Sequence, residues 1–98
     1  VDVTREHRSR PLTEFGSERA TIAFLGRRIV RFELEPGGRV GLHPAVGEQV
    51  LVVVRGEATV RGGDGATAQV REGDVVRWAP GEEHETVART AFAAIVVE

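Results

Sequence analysis

Cysteine, methionine, tyrosine, lysine and asparagine are all missing from this chain of 98 residues. Without cysteine there is no thiol nucleophile, no soft-metal ligand and no disulfide to tie the chain to an oxidising compartment. The absence of lysine removes the amine a Schiff base needs, and the absence of tyrosine removes a phenolic acid. Metal ions, histidine and carboxylates are the chemistry that remains. Long apolar runs are also lacking: none approaches the roughly 18 residues that span a bilayer, and residues 1–10 hold no apolar segment of a signal peptide. The 13 basic residues are all arginine, a bias that points to a GC-rich bacterial genome. They alternate with acidic residues to a net charge of −2, which leaves no basic footprint for nucleic acid or an anionic membrane. The expectation is a cytoplasmic protein that binds neither.

What is present reads as one all-β domain over residues 1–98, with 1–11 as an extended polar arm containing Arg5, His7, Arg8 and Arg10. Residues 12–15 suggest a short edge strand. Residues 20–25 and 29–34 form a hairpin in which Val30, Phe32 and Leu34 point inward. Pro36, Gly37 and Gly38 break the run, and a short strand over 39–43 puts Val40 and Leu42 on one face. Residues 49–55 (QVLVVVR) are apolar on both faces, as in a strand covered on both sides. With Gln49 inward, Leu51 and Val53 share the inner side, and Val50, Val52 and Val54 form an outer row. A second copy of the chain on that row is expected to make a homodimer. Gly62, Gly63, Asp64 and Gly65 mark a hairpin between 57–61 and 66–70, and strands at 75–78, 84–87 and 91–97 complete about eight to ten elements. No helical periodicity outlasts one or two turns.

Three side chains are candidate ligands: His43, Gln49 and His84. Fully extended, the chain would separate His43 from Gln49 by roughly 20 Å, too far to share an ion bound at about 2 Å. Pro44 and Gly47 supply the turn that brings the chain back.

These residues resemble the cupin family of small β-barrels. The first cupin motif has glycine, five residues, His-x-His, three or four residues, glutamate, six residues and glycine. Gly37, His43, Ala45, Gln49 and Gly56 fall at those positions, with Ala45 at the second histidine and Gln49 at the glutamate. The second motif has glycine, five residues, Pro-x-Gly, two residues, histidine, three residues and asparagine. Gly73, Ala79, Gly81, His84 and Ala88 match its spacing, with alanine in place of the proline and the asparagine. The resemblance spans about half the chain and implies a double-stranded β-helix barrel of jelly-roll type.

It also implies a divalent metal, iron, manganese, nickel, zinc or copper, held here by His43, Gln49 and His84, since the Ala45 methyl coordinates nothing. All three ligands are neutral, so a compensating anion is needed. Glu48 is the nearest by sequence, provided that a bulge turns it inward; otherwise an anionic substrate supplies the charge. His7 is a weaker substitute ligand. The implied activity is isomerase, lyase or oxygenase chemistry on a small anionic molecule. The alternatives are a metal-free small-molecule pocket and a barrel filled by its own side chains that meets another protein. Thr86 shares the face of His84. Trp78, Phe32 and Phe92 are candidates for the pocket wall or the core. Glu82, Glu83 and Glu85 read as a solvated turn.

Overall fold

A computed structural model describes residues 1–4 and 8–98; Arg5, Glu6 and His7, with that part of the expected arm, lie outside the described residues. The chain folds into nine strands: β1 (Ser9–Pro11), β2 (Glu18–Gly26), β3 (Ile29–Pro44), β4 (Gln49–Arg55), β5 (Glu57–Gly62), β6 (Thr67–Arg71), β7 (Val75–Trp78), β8 (Glu83–Ala88) and β9 (Phe92–Val97). All their pairings are antiparallel, and the sheet order runs β6-β5-β8-β3-β9-β4-β7, with β2 on β3 and β1 on β2. Among the described residues no helix is long and apolar enough to cross a membrane.

The 16-residue β3 joins the two halves of the barrel. Its first half, Ile29 to Leu34, lies between β2 and β9, whereas its second half, Arg39 to Pro44, pairs with β8. The expected break at Pro36, Gly37 and Gly38 is therefore a change of partner within one strand. Glycines serve close approach here: a Cβ on Gly38 would lie 2.5 Å from the Arg19 carbonyl oxygen, and one on Gly41 would lie 1.7 Å from that of Phe15. The strap of residues 12–17 sits directly against this backbone.

That strap is not the expected edge strand. The strand falls earlier, at β1, and Glu14–Gly16 form a 3₁₀ turn in which Phe15 and Gly16 have φ of 61° and 70°, outside any strand conformation. Further along, the hairpin over Gly62 to Gly65 forms as expected, with Gly65 at φ 83° and Asp64 accepting a hydrogen bond from the Ala66 amide.

Inward alternation builds the core. Phe32 and Leu34 of β3, Leu51 and Val53 of β4, Ala58 and Val60 of β5, and Phe92 and Ala94 of β9 are all buried. Phe92 is fully buried, and its ring lies 6.0 Å from that of Phe32. Phe92→Ala should therefore destabilise the domain by about 3–5 kcal/mol in urea unfolding. A loss under about 1 kcal/mol would be incompatible with this packing.

Candidate functional site

His43 enters the site through an irregularity in β3. Val40 pairs with Thr86 and His43 with His84, so three steps on β3 oppose two on β8. One extra residue is a β-bulge. Strict alternation would put Leu42 beside Val40 and send His43 to the other face; the bulge instead leaves Leu42 exposed and turns His43 inward. The expected grouping of Val40 with Leu42 is thus corrected by one inserted residue.

The cross-strand pair sets the two imidazole rings 4.3 Å apart, tilted by 58°. Each ring carries a flat aromatic partner on its far side. Phe15 stacks on His43 at 4.5 Å and 13°, and Trp78 stacks on His84 at 4.6 Å and 11°. The imidazoles are also oriented by carbonyls two residues earlier in the chain. Nδ1 of His43 lies 2.8 Å from the Gly41 carbonyl oxygen, and Nδ1 of His84 lies 3.1 Å from that of Glu82. A carbonyl only accepts, so Nδ1 of each ring is the donor and Nε2 of the neutral ring keeps its lone pair.

Gln49 adds a third acceptor. Its Nε2 donates to Glu98 Oε1 over 3.1 Å, which assigns the amide, because a carboxylate can only receive that bond. The Gln49 carbonyl oxygen is the end left over. Among the described residues no buried side-chain nitrogen or oxygen lacks a partner, so these free acceptors reach accessible space. That space is a cavity of about 220 Å³ bounded by the two histidines, Gln49, Thr86, Glu98 and Trp78, with apolar walls that include Phe32, Leu51, Ile22 and Val96. A wider groove of about 760 Å³ runs along β2, but no histidine faces it.

Of the expected residues, His43, Gln49, His84, Thr86, Trp78 and Phe32 come together around this cavity. Phe92 belongs to the core behind Phe32 and does not line it. Glu48 is exposed and borders a surface hollow with Arg28 and Gly47, since no bulge reverses it at the start of β4. Glu82 is taken up by its turn, where its carboxylate accepts from the Ala79 amide, and Glu85 faces Arg61.

Glu98 and Phe15 are cavity residues that the sequence analysis did not single out. Alternation through Phe92, Ala94 and Val96 points toward Glu98 as well, a legible signal; the residue lies exposed just past β9, bordering both the cavity and the hollow beside Glu48. For Phe15 there was none, because its position depends on a left-handed turn. Among the described residues no group of three or more His, Cys, Asp or Glu side chains forms a metal-ligand cluster. An ion bound between the two imidazoles would therefore take its third protein ligand from the Gln49 oxygen, with Glu98 one hydrogen bond behind it. In kind, two imidazole nitrogens and one amide oxygen suit a borderline divalent ion, and the nearby carboxylate offsets part of its charge.

Burial pushes the His84 imidazole below the usual histidine value; its bond to the Glu82 carbonyl opposes the shift, and His43 adds to it. Histidine in the unfolded chain titrates near about 6.5 and so takes up its proton before folded His84 does. The stability contributed by neutral His84 is complete above that value and is lost as pH falls toward the lowered folded one. Chelator-treated protein should lose urea stability as pH falls below about 6.5, and His84→Gln should flatten that slope. An unchanged slope in the variant would assign the dependence to other groups.

A single curled antiparallel sheet of nine strands, with a cross-strand histidine pair lining its cavity, defines the class of the molecule. The chain belongs to the cupin family: the family model described as "Cupin domain" matches residues 30–98. A cupin-like protein from Thermotoga maritima superposes with a TM-score of 0.84 at 22% identity, over 99% of this chain and 80% of that one. The polyketide cyclase RemF from Streptomyces resistomycificus superposes with a TM-score of 0.81 at 23% identity, over 99% and 78%. A protein described as a predicted oxalate decarboxylase, also from Thermotoga maritima, reaches a TM-score of 0.73 at 25% identity, over 87% and 92%. No curated protein matches the chain.

Proposed function

We propose that the cavity holds a divalent metal ion between His43, His84 and Gln49, and a small oxygen-bearing molecule in the remaining space. One observation carries this reading. Three lone-pair acceptors, one of them oriented by a carboxylate, line a single cavity whose remaining walls are mostly apolar. With each Nδ1–H already bonded, the neutral imidazoles and the amide oxygen present only lone pairs, which suit a cation and not an anion.

The chain's own residues divide the work. The Gly41 and Glu82 carbonyls fix the imidazole tautomers, Glu98 turns the Gln49 amide, and Phe15 and Trp78 hold the rings flat. Phe32, Leu51 and Val96 keep water from the far end. A bound divalent ion would supply Lewis-acid polarisation of a ligand oxygen. The likeness to a predicted oxalate decarboxylase is consistent with a small carboxylate as that ligand.

Zinc or cobalt titrated into metal-free, untagged protein should bind near one equivalent, and His43→Ala or His84→Ala should abolish it. Glu98→Gln should weaken it roughly 10- to 100-fold, as loss of a group that orients a ligand does. Full binding in the double histidine variant would overturn the assignment.

A metal-free ligand pocket is the second reading, favoured by the absence of a third His, Cys, Asp or Glu ligand among the described residues. It requires small-molecule binding that a chelator leaves unchanged.

We also propose that a second copy of the chain covers the outer face of β3, β9, β4 and β7. Neighbouring strands align Val75, Val52 and Ile95 in one row, and Val50, Val97 and Ile29 in the next. Val75, Val97 and Ile29 are each at least 40% exposed, with arginines 31 and 77 at the margins. Such a row of β-branched side chains is an interface composition rather than a solvated one. Sedimentation should report a dimer, and Ile95→Arg should yield a folded monomer. A monomeric parent protein would exclude it.

A further inference from the structure

We infer that Phe15 is the access-determining residue of the cavity: the strap of residues 12–17 closes the mouth by laying this ring over His43, and a ligand enters when the strap lifts. The inference rests on the proposed use of the cavity for ligand binding. Phe15 is the exposed end of the aromatic series that continues through His43 and His84 to buried Trp78, 56% exposed against 5%.

Ordinary folding does not explain this residue. Its backbone is left-handed, with φ 61° and ψ 22°, a conformation that a bulky side chain rarely adopts. Its side chain does not repay that strain by entering the core, because Phe15 remains 56% exposed. What it gains is the stack on His43 and a place in the cavity wall. Strain held at an exposed residue beside a site is the pattern expected of a functional constraint.

The surrounding contacts hold the strap in this position. Arg39 Nε donates to the Gly16 carbonyl over 3.1 Å, and the Gly41 amide donates to Ser17 Oγ over 2.9 Å. Gly41 has no side chain to obstruct the Phe15 carbonyl. At the other end the Leu12 amide donates to the Ala20 carbonyl, and Leu12 is buried against the same cavity. Between these anchors Thr13 to Phe15 are exposed, held besides by the solvent-exposed Arg10–Glu14 pair, so the ring can swing without opening the core.

The test reads access without any metal or ligand. Parent protein, Phe15→Gly, Phe15→Tyr and Arg39→Ala are treated with diethyl pyrocarbonate, and carbethoxylation of His43 is followed by peptide mass mapping. Phe15→Gly should modify roughly fivefold faster, the factor that one aromatic stacking contact represents. Arg39→Ala should accelerate it to a smaller extent, and Phe15→Tyr, which keeps the ring, should stay at the parent rate. The thermal midpoint of Phe15→Gly should be no lower than that of the parent, since glycine adopts the left-handed conformation freely. An unchanged His43 rate in Phe15→Gly would overturn the inference. So would a midpoint lowered by several degrees, which would make Phe15 a structural residue. Because the reagent needs no bound ion, failure here leaves the metal titration intact, and failure of that titration leaves this result intact.

Discussion

The site depends on one cross-strand register, that of His43 opposite His84. It exists because β3 carries one more residue than β8 between two paired positions, which turns His43 to the inner face. Without that residue the two imidazoles would lie on opposite sides of the sheet. With it, the rings are close enough to share a ligand, and Phe15 and Trp78 can stack on their outer faces. The carbonyls that bond each Nδ1 come from residues two positions earlier in the chain, Gly41 within β3 and Glu82 in the turn before β8, so local backbone geometry selects the tautomer.

Around this pair the chemistry is complementary. The histidines and Gln49 present lone pairs, and Glu98 brings negative charge to a cavity whose other walls are largely apolar. The family pattern has three histidines and a glutamate, whereas Ala45 and Gln49 stand here at two of those positions. The carboxylate that this set lacks at position 49 stands at Glu98, just past the end of the neighbouring β9, one hydrogen bond away. It is therefore placed to steer Gln49 and to bring negative charge beside it.

Much of this was legible beforehand where a strand is regular. Alternation assigned Leu51 and Val53 inward with Gln49, and Thr86 inward with His84, because period two holds along β4 and β8. Glycine spacing located the turns, and the two motif spacings identified the family. The same rule misplaced Leu42, because the one bulge signal in GRVGLH, Gly41 inside a strand, marks an irregularity without fixing its register. Glu48 was considered only for its nearness in sequence to Gln49. Glu98, which bonds Gln49, is 49 positions away from it and beside it in space.

The sequence by itself determined the fold class, the absence of thiol and amine chemistry, and the residues from which a site was to be built. These follow from composition, period and turn chemistry, which are local properties of the chain. Only the tertiary structure decided which of those residues meet. Strand pairing sets register across distances that local preference does not encode, and a single inserted residue reverses every side chain beyond it. The close packing of the strap against Gly41 then brought Phe15 over His43, a contact made by backbone that no local pattern announces.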